Sequence, residues 1–70
     1  MKTLREYRLK RKYSMQDMAD YLKISKTFYW QIENNKRRLS YDMAYRIATK
    51  LKTKPDKLFY KDIKEIMKNH

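Results

Sequence analysis

The chain has no glycine and no cysteine, and its one proline is Pro55. Without glycine the tight turns of β-hairpins lose their usual residue, so an all-helical fold is favoured. Without cysteine there can be neither a disulfide nor a thiolate metal site. The only histidine, His70, is the last residue, a poor place for a metal ligand or a catalytic base. No cofactor and no metal is therefore expected. No apolar run approaches the ~20 residues of a membrane span. Arg5, Arg8, Lys10, Arg11 and Lys12 interrupt every apolar stretch that could serve as a signal peptide. The expected setting is the cytoplasm.

What the chain has in excess is positive charge. Nineteen Lys and Arg against eight Asp and Glu give a net charge of +11 in 70 residues. Nucleic acid, an anionic membrane surface or mere solubility would each suit such a balance. The charge is uneven: residues 1–40 hold eleven cations and four acids, residues 41–70 eight and four. At this length one small domain is expected, burying only ~60% of the surface its unfolded chain exposes.

Helix starts are marked by caps. Ser14 with Asp17 three residues on comes close to a capping box. Met18, Ala19 and Leu22 follow at helical spacing. Ser25 opens a second segment with Tyr29 and Ile32 on one side, and Ser40 a third with Ala44, Ile47, Ala48 and Leu51 on one stripe. Leu4 and Tyr7 mark a helix before these, reaching about Arg11, and Pro55 with Asp56 suits the first turn of a last one. The expected fold class is all-α: five short helices over residues 1–59 and a helical C-terminal extension, 60–70. Ile63, Ile66 and Met67 give that extension an apolar stripe, which either dimerises the protein or folds back on it.

The informative spacing lies between the second and third helices. The second ends near Leu22 and Ser25 already caps the next, so the two should cross steeply. Ala19 allows close approach at the crossing, and Ile24 plugs the core below the turn.

From Leu4 to Phe59, about four-fifths of the chain, the sequence resembles the lambda-repressor-like, Cro/Xre-type DNA-binding domain of bacterial and phage regulators. The stretches "SMQDMADYLKIS", "WQIENNKRRLS", "RIATKL" and "DKLF" carry the likeness. The resemblance implies a five-helix fold with a helix-turn-helix in helices 2 and 3. It also implies dimers on palindromic operators, and Ser25, Lys26, Thr27, Trp30 and Gln31 at the groove. Arg8 and Glu33 match a buried ion pair of the family. Three positions depart from the family pattern. Met15 stands where glutamine is common, with Gln16 next to it. Lys23 and Asn35 stand where glycine is usual: Lys23 would be strained if it takes the left-handed conformation, and Asn35 is the next best residue at a left-handed C-cap.

Successive helix residues turn by ~100°, so Tyr29 and Ile32 can share a buried stripe while Thr27, Trp30 and Gln31 point away. Phe28 falls between the faces. Gln31 can pair bidentately with adenine and Lys26 with guanine, and Thr27 can meet a base edge or a phosphate. Trp30 either covers the helix edge or touches a thymine methyl. Lys36, Arg37 and Arg38 suit the phosphate backbone, with a solvated loop as the alternative. Gln16, Ser25 and Asn34 are expected to join them as backbone contacts. Tyr7 and Tyr13 read as core, and Tyr21 as surface or interface.

The function expected from these features is sequence-specific binding of double-stranded DNA by a dimeric transcriptional repressor. A phage, a mobile element or a toxin–antitoxin locus would suit it, with a regulatory protein as a further partner. A recombination or architectural factor, or a protein-interaction adaptor on the same fold, is the alternative. A membrane-active helix would need one long stripe, whereas the pattern here restarts at each cap. No small-molecule ligand is expected, and no catalytic constellation stands out to suggest an enzyme.

Overall fold

A computed structural model describes residues 2–59. Four helices run over α1 (Lys2–Lys10), α2 (Met15–Leu22), α3 (Lys26–Glu33) and α4 (Tyr41–Lys50). Residues 55–59 are helical and form α5. No strand occurs among the described residues. The apolar stripe expected at 60–70 lies outside them.

The helix starts fall where the serines place them. Ser14 accepts from the Asp17 N–H at 3.0 Å while its own N–H donates to the Asp17 carboxylate at 2.8 Å, a complete capping box. Ser25 accepts from the Phe28 N–H and Ser40 from the Met43 N–H, at 3.0 and 3.1 Å. Each serine satisfies one of the N–H groups that a helix start leaves without an intrahelical acceptor.

The helix ends are less usual. Four residues take positive φ: Lys12 (61°), Lys23 (58°), Asn35 (58°) and Lys52 (57°). Asparagine tolerates this region, but a lysine there sets its Cβ against the following carbonyl, at ~1–2 kcal/mol. A chain without glycine thus bears a backbone cost at three of its four left-handed positions. At Lys23 the turn it makes lets the Ile24 N–H reach back to the Ala19 carbonyl at 3.0 Å. Helix α1 stops at Lys10, although the Arg11 N–H still donates to the Tyr7 carbonyl.

Every element contributes to one core. Leu4 enters from α1, Met18, Ala19 and Leu22 from α2, Tyr29 and Ile32 from α3, and Ala44, Ile47 and Ala48 from α4. Leu51 and Phe59 close it. Helix α2 packs against both α3 and α4, and α1 against α3. Ala19 is wholly buried, as a close approach between helices requires. Tyr7, Tyr13, Ile24 and Phe28 are half-buried against this core, whereas Tyr21 lies at the surface.

Two cations help hold the frame. Arg46 of α4 donates through Nη2 to the Leu22 carbonyl at 3.3 Å, answering a free acceptor at the end of α2. The Lys50 ammonium lies 4.7 Å from the Tyr13 ring centre and 5.0 Å from that of Tyr21, within cation–π range.

Candidate nucleic-acid interface

Helix α3 turns two faces to two environments. Tyr29, Ile32 and Glu33 are buried, whereas Lys26, Thr27 and Trp30 are exposed and Gln31 is half-buried. A hydrophobic stripe on one side and polar groups on the other is what places this helix at a surface.

The buried face is anchored by an ion pair. Arg8 of α1 grips the Glu33 carboxylate with two bonds, Nε to Oε2 and Nη2 to Oε1, both 2.9 Å. Its Nη1 donates to the Tyr13 carbonyl, also at 2.9 Å, so the same guanidinium ties down the chain after α1. The bond to Glu33 raises the Arg8 pKa above its ordinary value, against the opposing effect of burial. Tyr29 lies close enough to feel both charges. Burial and then the Glu33 carboxylate push its phenol pKa upward, although among the described residues the hydroxyl has no partner at hydrogen-bonding geometry. The pair fixes how α3 sits on the domain, and therefore where its other face points.

On the open face Trp30 is 45% exposed, a large apolar side chain left in water. Lys26 and Thr27 are exposed beside it on the first turn. The loop after α3 folds back on the helix: the Lys36 N–H donates to the Gln31 carbonyl at 2.7 Å. Lys36, Arg37 and Arg38 are all exposed, but they are not equivalent. The Arg37 guanidinium lies 4.1 Å from the Phe28 ring centre, and its Nε donates to Gln31 Oε1 at 3.1 Å. Nothing in the sequence spacing distinguishes Arg37 from its two neighbours, because the contact spans six residues through a turn.

The remaining polar groups are partly engaged. The Ser25 hydroxyl caps α3 as acceptor, which leaves its own proton available for donation. Asn34 gives one amide N–H to the Trp30 carbonyl at 2.9 Å, closing the end of α3. Gln16 gives one to Asp20 at 2.8 Å along α2. Each side-chain amide retains a second N–H.

Among the described residues no group of three His, Cys, Asp or Glu is placed to hold a metal ion. No helix among them is long and apolar enough to cross a membrane.

A family model described as a helix-turn-helix domain matches residues 1–62. No curated protein and no solved structure matches the chain significantly. The matched span takes in the five helices of the described residues, with α2, the Lys23 turn and α3 as the helix-turn-helix. This chain belongs to the helix-turn-helix domain family of the Cro/Xre type, a family of DNA-binding regulators.

Proposed function

We propose that this protein is a sequence-specific regulator of transcription that binds double-stranded DNA as a homodimer and represses from a palindromic operator. The observation that carries the reading is the open face of α3. Lys26, Thr27, Trp30 and Gln31 stand on it, opposite a buried face locked by Arg8 and Glu33. Lysine and glutamine on such a face match the major-groove edges of guanine and adenine, and an apolar ring suits the thymine methyl. Lys36 and Arg38, exposed beside the helix end, supply phosphate contacts that position without specifying. Ser25, Asn34 and Gln16 add neutral donors at the rim. The net charge of +11 favours approach to any duplex, so charge alone is no evidence of sequence preference.

The dimer belongs to the same proposal. Residues 60–70 carry its contact, and their role is to set two copies of α3 about one DNA turn (~34–36 Å) apart. A phage, mobile-element or toxin–antitoxin switch is the kind of locus such a regulator would serve.

Selection of bound sites from a random duplex library tests the whole reading. A palindromic motif is expected, and enrichment without any motif would overturn it. For the selected duplex, affinity should fall ~10³–10⁵-fold between about 50 and 200 mM salt if a dimer neutralises ~6–10 phosphates. Replacing Lys36 and Arg38 by alanine should flatten that slope equally for selected and random DNA. Ending the chain after Tyr60 should leave a folded monomer with weak operator binding.

A further inference from the structure

Arg37 is bound to the helix rather than standing free among the loop cations. Its guanidinium face lies over Phe28 at 4.1 Å, and its Nε–H meets Gln31 Oε1 at 3.1 Å. Phe28 is itself half-buried against the core, so the stack rests on a fixed ring. The loop brings Arg37 back because Asn35 takes a left-handed turn and the Lys36 N–H closes on the Gln31 carbonyl.

We infer that Arg37 is a positioning residue for base readout, holding the Gln31 amide in one orientation. The inference rests on the proposed role of Gln31 at the groove. The chemistry is asymmetric. An arginine has only donors, so the amide atom that faces it must be oxygen, and the NH₂ group is turned away. A free glutamine amide can present either end to a base edge, and choosing one end costs conformational entropy when it binds. Here the choice is made before DNA arrives. The second lone pair of Oε1 remains to accept from adenine N6, while the NH₂ group donates to N7. Arginine suits the task better than lysine because its plane both stacks on an aromatic face and directs an N–H along a fixed line. The two Nη groups point no bond at any other described residue, so they are available to a phosphate at the same time.

The consequence is that Arg37 should act on sequence preference and not only on overall affinity. In this it should differ from Lys36 and Arg38. The test uses the full chain and the duplex obtained by site selection, with every base pair of one half-site varied in turn. Gln31→Ala should lose about 5–150-fold in preference at one position. Arg37→Lys keeps the charge, so its salt slope should match the wild type. It should nonetheless relax preference at that same position, about 2–10-fold, and combining it with Gln31→Ala should add little further loss. Arg37 is exposed, and an unchanged thermal midpoint checks that both variants fold.

If Gln31→Ala relaxes one position while Arg37→Lys leaves it untouched, the positioning role is wrong and the proposed readout stands. Losses that simply add in the double variant lead to the same conclusion. If Gln31→Ala alters no position at all, the assignment of Gln31 as a reader fails and the inference falls with it.

Discussion

The two faces of α3 are made by eight residues and obey opposite rules. On the inner face the charged groups are spent: Arg8 directs Nε, Nη1 and Nη2 at protein acceptors, and Glu33 receives two of those bonds. On the outer face Lys26, Thr27 and Trp30 have no assigned work inside the domain and stand in water. Burying polar groups is tolerable only when they are paired, whereas unspent donors at a surface cost nothing and remain available to a ligand. Stability and recognition are thereby divided across one short helix. The division can be attacked from either side.

The largest effect is expected on the inner face. Arg8→Ala should destabilise the domain by ~3–5 kcal/mol, because it leaves the Glu33 charge buried without its main partner. Replacing both residues by apolar ones, as in Arg8→Met with Glu33→Leu, should recover much of that loss, since a buried pair contributes little net stability of its own. Urea unfolding of the three proteins measures this. Equal loss in the single and double variants would mean that the arginine acts through its bond to the Tyr13 carbonyl instead.

On the outer face the ordering should reverse. Trp30→Ala should change folding stability by no more than ~0.5 kcal/mol, as expected for an exposed site. Its effect on the selected duplex should be ~1–3 kcal/mol in affinity. A variant that binds DNA normally but unfolds early would make Trp30 a cover for the helix edge and move the boundary between the faces.

A smaller effect separates the frame from both faces. Lys23 sits at φ 58° in the turn of the helix-turn-helix. Lys23→Gly should remove left-handed strain of ~1–2 kcal/mol, less ~0.5–1 kcal/mol for the added freedom of the unfolded chain. A rise of a few degrees in thermal midpoint is the expected outcome. An unchanged or lower midpoint would show that the lysine side chain returns what its backbone costs.

Much of this architecture is legible in the residues because the signals are local. Ser14, Ser25 and Ser40 announce the helix starts, and one period of apolar side chains assigns Tyr29 and Ile32 to the core and Trp30 to the surface. The left-handed turns at Lys23 and Asn35 are readable only through the resemblance, which marks where glycine is usual, and those at Lys12 and Lys52 have no such marker. The ion pair was accessible only through resemblance, since 25 residues separate Arg8 from Glu33 and no periodicity connects them. Arg37 and Arg46 were not distinguishable at all. Three consecutive cations look alike until a turn lays one over Phe28, and Arg46 finds the Leu22 carbonyl only once α4 packs on α2. Interactions that depend on how one element meets another leave little trace in a single chain's pattern.

The smallest effect lies at the start of α2, away from both faces of α3. The Asp17 carboxyl is held below its ordinary value of 3.8, first by the Ser14 backbone N–H that donates to it and then by the Ser14 side chain. A carboxyl whose pKa is depressed by folding contributes stability above its unfolded value. That contribution fades as pH falls through the folded one. Asp17→Asn should therefore lower the thermal midpoint slightly at about pH 7, and the gap from the wild type should close as pH falls through the folded pKa and the Asp17 carboxyl becomes neutral. The comparison between the two proteins at each pH removes the general acid sensitivity of so cationic a chain. Asp17 is exposed, so the difference should also shrink in high salt. A gap that stays constant from neutral to acid pH would mean that the asparagine perturbs the helix start by its shape, and that the charge on Asp17 is incidental to the cap.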